Sequence, residues 1–152
     1  MEILFYLCSV IINQLEIMKV TYNKEEIEKI IFDALCNGLG ELSACGISLE
    51  VREKLYKDTK NLLAEMPEWK NKTISMEDVF MQMLKEDKLK FVDVEGGDGD
   101  FVEITFDMAM ENINNCKEEF SDYPMNCHKE LGDAWDACNT LQIMLYKDLI
   151  YG

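Results

Sequence analysis

The most informative stretch of the chain is residues 74–107, which read ISMEDVFMQMLKEDKLKFVDVEGGDGDFVEITFD. Its first part predicts a helix, because Ser75 is a good N-cap and Asp78 stands three residues on, in the reciprocal position of a capping box. The apolar residues that follow have helical spacing and predict one buried stripe. They are Met76, Val79, Phe80, Met83 and Leu84.

The second part of the stretch changes from a helical period to an alternating one. A glycine-rich turn at 95–100 separates two runs in which apolar residues recur at every second position. In the first run, Leu89 and Phe91 alternate with Val92 and Val94. In the second, Val102, Ile104 and Phe106 alternate with Phe101, Glu103 and Thr105. Two such runs joined by a short Gly/Asp segment predict a β-hairpin over 88–106.

The same stretch is strongly acidic. Between Phe91 and Cys116 there are seven acids and no Lys or Arg, so almost half of the formal net charge of -15 lies in about a sixth of the chain. This charge argues against direct binding to nucleic acid or to anionic membranes, because like charges repel. It favours docking onto a basic surface, including one that normally holds DNA or RNA. An acidity that serves only solubility is an equally open interpretation.

Length and composition predict one globular domain. A chain of 152 residues buries roughly two-thirds of the surface of its unfolded state, and a hydrophobic content of 48% is ample for a core. The six cysteines form no CxxC pair, and no secretion signal is evident. We therefore expect reduced thiols, several of them buried, in a cytoplasmic protein.

The N-terminal residues form a separate, apolar segment. Residues 3–12 are almost continuously apolar, but this run is too short to span a bilayer. Glu2 stands where a signal peptide would carry a basic residue. We expect residues 1–17 to be an extension ahead of a single domain at 18–152. Two interpretations stay open: translation starts at Met18, or the segment is native and forms a buried helix or an oligomer contact.

A helix is predicted to open the domain. Asn23 can cap it, with Glu26 as the reciprocal partner three residues on. An apolar stripe follows, and Gly38 or Gly40 would end the helix.

The rest of the chain supplies one more candidate strand and further helices. Residues 47–51 alternate like a short strand, although they could equally open the next helix, which Pro67 stops. Helical spacing returns over 109–120, and a final helix is expected from about 125 toward 149. Its expected inward residues are Leu131, Trp135, Cys138, Leu141 and Leu145. The prediction is an α+β domain in which about five helices pack around a small antiparallel sheet of two or three strands.

The acidic turn has the ligand type, but not the spacing, of a calcium site. Its carboxylates would suit a hard cation, and they occur at Asp93, Glu95, Asp98, Asp100 and Glu103. The EF-hand positions are not matched, and strands rather than helices flank the turn. A solvated hairpin tip without a metal is the favoured prediction.

Catalytic patterns are lacking as well. Cys127 and His128 are adjacent, so on a helix their side chains point about 100° apart and cannot form a nucleophile–base pair. The chain has no GxGxxG, Walker or nucleophile-elbow pattern. We therefore expect no enzymatic activity and no cofactor.

Three segments carry a resemblance to a group of proteins. They are NGLGELSACG (37–46), SMEDVFMQML followed by FVDVEGGDGD (75–84 and 91–100), and LQIMLYKDLIYG (141–152). Over about residues 20–152 the chain resembles small uncharacterised proteins of gut bacteriophages and related mobile elements. The resemblance implies a cytoplasmic accessory protein made inside an infected bacterium, of a kind that often counters host defences. It carries over no functional residue.

The leading functional hypothesis is a non-enzymatic binding protein. Its acidic face would occupy the basic groove of a host protein such as a nucleic-acid-binding nuclease, with carboxylates in place of phosphates. Direct contact with nucleic acid or membrane is not expected. The predicted partner-binding residues are Asp93, Glu95, Asp98, Asp100, Glu103 and Asp107.

Two other hypotheses come from different classes. The first is an oligomer that sequesters a small defence signal, with the small-residue loop 38–46 and the aromatic residues Tyr22, Trp69 and Trp135 lining a pocket. The second is a structural, virion-associated subunit that uses its apolar N-terminus for assembly.

Overall fold

The computed structural model describes residues 2–16, 19–94 and 100–151, with the backbone alone for 11–16. In these residues seven α-helices flank one three-stranded antiparallel sheet of order β1-β2-β3. The elements are α1 (Glu2–Glu16), α2 (Lys24–Ala44), β1 (Ile47–Leu49), α3 (Glu53–Glu65), α4 (Met76–Lys85), β2 (Lys90–Asp93), β3 (Asp100–Glu103), α5 (Phe106–Asn114), α6 (Asp122–His128) and α7 (Ala134–Tyr146). The predicted α+β class and small antiparallel sheet are confirmed, with two more helices than expected.

Both predicted capping boxes are present. The Asn23 side chain accepts a hydrogen bond from the Glu26 backbone, and the Glu26 carboxylate accepts one from the Asn23 backbone. Ser75 and Asp78 exchange the same two bonds at the start of α4. Each pair satisfies two backbone N–H groups that would otherwise lack partners at a helix start.

The predicted end of α2 is wrong. The helix passes through Gly38 and Gly40 and continues to Ala44. At Gly38 it crosses α7 so closely that a Cβ atom would lie 2.6 Å from the backbone carbon of Ala137. Gly38 therefore permits close helix packing instead of ending the helix. The most extensive packing in the described part of the chain is this contact of α2 with α7.

The hairpin is confirmed, and the pairing of β2 with β3 shows which side chains share a face. Phe91 lies opposite Val102, and Val92 lies opposite Phe101. The inward residues Leu89, Phe91, Val102, Ile104 and Phe106 pack in or against the core, whereas Phe101 on the outer face is exposed. Residues 47–49 form β1, so the strand interpretation of this segment is the correct one.

The final helix is two helices rather than one. α6 ends at His128, Glu130 adopts a left-handed φ of 57°, and the Asp133 side chain caps the start of α7. The break redirects the chain, so two residues that were expected inward are exposed: Leu131 at 76% and Trp135 at 54%. The other three expected inward residues, Cys138, Leu141 and Leu145, are buried.

The apolar N-terminal segment forms the helix α1, and its first residues do not join the core. Residues 3–7 of α1 are all exposed, and none of them belongs to the buried cluster or to the residues packed against it. For residues 3–7, the interpretation as part of a buried helix is therefore wrong. Across the described residues, no helix is both long enough and apolar enough to cross a membrane.

Candidate partner-binding surface

Asp93 does not belong to an outward acidic face. It is 7% exposed and accepts hydrogen bonds from the hydroxyls of Tyr146 (2.9 Å) and Tyr151 (2.9 and 3.0 Å). Its placement follows from strand alternation, because it shares the inward face with Leu89 and Phe91. That signal was present in the sequence, and it makes the expected outward projection of Asp93 wrong.

The residues around Asp93 join the hairpin to the C-terminal segment. Buried Gln142 on α7 donates to the carbonyl of Tyr151 (2.7 Å) and accepts from the backbone N–H groups of Ile150 (3.0 Å) and Tyr151 (2.8 Å). Burial, and then the hydrogen bond to Asp93, raise the pKa of Tyr146, so its hydroxyl stays a donor at neutral pH. We call Asp93, Gln142, Tyr146 and Tyr151 the tyrosine clasp. Sequence reasoning did not identify it.

Four acids after the turn are exposed, although Asp100 and Glu103 lie three residues apart and so point to opposite faces of β3. Asp100 and Glu103 lie on β3, whereas Asp107 and Glu111 lie one turn apart on α5. Asp107 occupies the first turn of α5, where the helix dipole favours a carboxylate. We call these four residues the acidic hairpin surface. The predicted residues Glu95 and Asp98 lie outside the described part of the chain.

Two lysines from outside residues 91–116 lie beside this segment. Lys90 Nζ lies 2.7 Å from Glu103 Oε1, and the hydrogen bond from that ammonium holds the pKa of Glu103 below its usual range. Lys24 Nζ lies 5.7 Å from the centre of the Phe106 ring, at the start of α5. Residues 91–116 contain no Lys or Arg, but in the folded chain lysines from outside this segment lie beside it.

An apolar patch adjoins the acidic residues on the outer face of the sheet. Phe101 and Val94 are each 60% exposed, and Val92 lies opposite Phe101 in the register. Lys90 Nζ stands 6.0 Å from the centre of the Phe101 ring. An exposed aromatic side chain beside charged groups is a common arrangement at the centre and rim of protein interfaces.

The expected aromatic pocket is not formed. Residues 38–44, the larger part of the supposed loop, are helical, and Tyr22 is buried in the core. Tyr22 contributes to one cleft of about 350 Å³, Trp69 contributes to a different cleft, and the exposed Trp135 lines neither. The three aromatic residues therefore do not line one common pocket.

The side chains of Cys127 and His128 point into different surroundings, as expected for adjacent residues on a helix. Cys127 Sγ is buried 3.4 Å from Thr140 Oγ1, and burial raises the pKa of this thiol to about 12. The centre of the His128 ring lies 5.4 Å from that of Tyr22, with the two rings tilted by 49°, and Nε2 lies 3.8 Å from a carboxylate oxygen of Glu26. The thiol is thus protonated at neutral pH and out of line with the imidazole, so the pair does not form a catalytic dyad.

Within residues 2–16, 19–94 and 100–151, no three His, Cys, Asp or Glu side chains are grouped so that they could hold a metal ion. We therefore characterise the acidic hairpin surface by its charge and its exposure, and assign it no metal. Comparisons of this chain with protein-family models, with curated proteins and with solved structures found no match.

Proposed function

We propose that this chain is a non-enzymatic binding protein whose acidic hairpin surface docks onto a basic surface of another protein. The observation that carries the proposal is the run of four exposed carboxylates, Asp100, Glu103, Asp107 and Glu111, along a segment without any Lys or Arg between residues 91 and 116. The exposed ring of Phe101 adds an apolar contact beside these charges.

The partner class follows from charge complementarity. A surface that presents carboxylates in series competes for grooves that normally hold nucleic acid phosphates. A nucleic-acid-binding host protein such as a nuclease is therefore the proposed partner. The resemblance to proteins of phages and mobile elements adds the setting: a cytoplasmic accessory protein that inhibits a host defence.

The acids of the predicted site are not equally available to a partner. Asp93 is committed to the tyrosine clasp and is left out of the proposed surface. Glu103 is already paired with Lys90, so a partner must compete with an internal ion pair there. Asp107 and Glu111, on the exposed side of α5, are the best residues with which to test the proposal.

We expect the double substitution Asp107→Lys and Glu111→Lys to reduce the association rate with a basic partner by about tenfold or more at low salt, because the steering field is reversed where contact occurs. Immobilised protein would capture nucleic-acid-binding proteins from a bacterial host lysate, and association of the captured protein would be measured at low and high salt. A double-stranded oligonucleotide should displace the captured protein, because both ligands use one groove.

The matched control is Glu118→Lys with Glu119→Lys, which changes the net charge by the same amount at two exposed acids outside the acidic hairpin surface. This variant should associate almost as fast as the unmodified chain. Equal losses in both variants would mean that only overall charge matters. Capture that resists the oligonucleotide would contradict the proposed groove.

A second candidate function rests on a different observation, the exposed apolar helix α1. A structural subunit or homo-oligomer would use such a helix for assembly. This role does not exclude binding through the acidic hairpin surface, since the two regions share no residue.

A further inference from the structure

The helix α1 presents more apolar surface than a single folded chain normally exposes. Ile3, Leu4, Phe5, Tyr6 and Leu7 are 77%, 69%, 74%, 70% and 49% exposed. Since a large aromatic side chain carries about 150–250 Å², these five neighbours together expose on the order of 700 Å². A single contiguous apolar patch on a typical monomer covers about 300–600 Å², whereas this exposed area is spread around the helix.

The exposed residues surround the helix axis. Five consecutive residues of an α-helix are spaced about 100° apart, so residues 3–7 point in nearly all directions. A helix that is apolar on nearly every side requires burial on more than one side. One neighbouring helix covers a single stripe, so two or more neighbours are needed.

A narrow polar stripe shows which side of α1 would face water. Glu2 and Ser9 are seven residues apart and therefore lie on the same side of the helix. Ser9 Oγ donates to the carbonyl of Tyr6 (2.9 Å), which satisfies its hydroxyl locally. Leu4 lies on the opposite side, two residues from Glu2 along the chain, and would point toward the neighbours.

A lipid bilayer fits this helix poorly. A helix of 15 residues is about 22 Å long, which is shorter than the hydrocarbon core of roughly 30 Å. The sequence of α1 contains no Lys or Arg that could bind anionic headgroups. Its two charged residues, Glu2 and Glu16, would be repelled by such a surface.

A further copy of the same chain fits better. The chain carries a net charge of -15, so most approaches between two copies bring carboxylates together. Residues 3–15 form an uninterrupted uncharged segment, where copies can meet without that repulsion. The area exposed by residues 3–7 is also close to the roughly 800 Å² that each partner contributes to a standard stable interface.

We infer that α1 is the oligomerisation element of this protein: α1 helices from at least three copies pack into a bundle, with Leu4 toward its axis and Ser9 toward water. The inference does not depend on the acidic hairpin surface. The bundle would hold several acidic surfaces together, which raises the effective affinity for any partner that offers repeated basic sites.

The test is the mass of the full chain by light scattering after gel filtration, over a range of concentrations. We expect at least about three times 17.6 kDa for the unmodified chain and the monomer mass for Leu4→Glu. Ser9→Glu adds the same charge on the opposite side of α1 and should keep the oligomer. Both variants should melt like the unmodified chain, because residues 3–7 make no contribution to the buried core.

A monomer or a dimer of the unmodified chain would overturn the inference, as would an oligomer that survives Leu4→Glu. Flotation with vesicles of phosphatidylcholine provides a further arm. If the chain floats with these vesicles and Leu4→Glu abolishes flotation, a membrane surface is the occupant of α1 and the bundle is excluded.

Discussion

The substitution Gly38→Ala is expected to lower the free energy of unfolding by about 3 kcal/mol, at the upper end of the usual cost of adding one methyl group to a packed core. The new Cβ would lie 2.6 Å from the backbone carbon of Ala137 and 2.7 Å from the backbone nitrogen of Cys138. Because these neighbours are backbone atoms, no side-chain rotation relieves the clash. To relieve it, α2 and α7 would have to move apart, and their contact is the most extensive one between any two described elements.

Gly40 provides a matched control in the same helix. Apart from the adjoining residues and the backbone of α2 itself, no atom of the described residues lies within 4 Å of a Cβ atom built there, and alanine favours a helix interior over glycine by roughly 0.5–1 kcal/mol. Gly40→Ala should therefore stabilise the protein slightly. Urea unfolding followed by circular dichroism would measure both variants. Similar stabilities for the two would mean that α2 and α7 do not cross as closely as described.

The substitution Asp93→Ala is expected to lower the free energy of unfolding by about 2–4 kcal/mol. Hydrogen bonds to a charged group contribute about 1.5–3 kcal/mol each, and Asp93 accepts bonds from two tyrosine hydroxyls. Both tyrosines are only partly buried, so water replaces part of the lost interaction and the expected loss is smaller than the sum of the two bonds. Thermal and urea unfolding would measure the loss.

Asp100 is the natural comparison, because it lies directly opposite Asp93 in the hairpin and is exposed. Asp100→Ala should change stability by no more than about 0.5 kcal/mol. A double-mutant cycle of Asp93→Ala with Tyr151→Phe should give a coupling of about 1 kcal/mol or more, since the residues are in contact. If Asp93→Ala is as mild as Asp100→Ala, Asp93 is not the centre of the tyrosine clasp.

The outcome at Asp93 bears on function as well as stability. A prediction based on charge alone counts every carboxylate of the turn as available to a partner. The fold withdraws Asp93 through the tyrosine clasp and neutralises Glu103 through Lys90. The acidic hairpin surface is therefore centred further along the chain than the sequence indicated, toward Asp107 and Glu111 on α5.

Features that depend on a few neighbouring residues were predictable from the sequence. The caps at Asn23 and Ser75 need only an acid three residues on, so they could be recognised without the fold. The faces of the hairpin follow from alternation, which is a property of any strand. The same alternation would have placed Asp93 inward, had it been applied to polar residues as well as apolar ones.

Features that depend on distant segments could be found only once the helices and strands were packed. Gly38 looks like a helix end until α7 is seen to pass against it, because close backbone approach and helix termination both favour glycine. The partners of Asp93 lie 53 and 58 residues away, and no local pattern reports a contact over that distance. Local sequence thus determined where elements begin and which faces they bury, whereas packing between elements decided how long α2 runs and which carboxylates remain free.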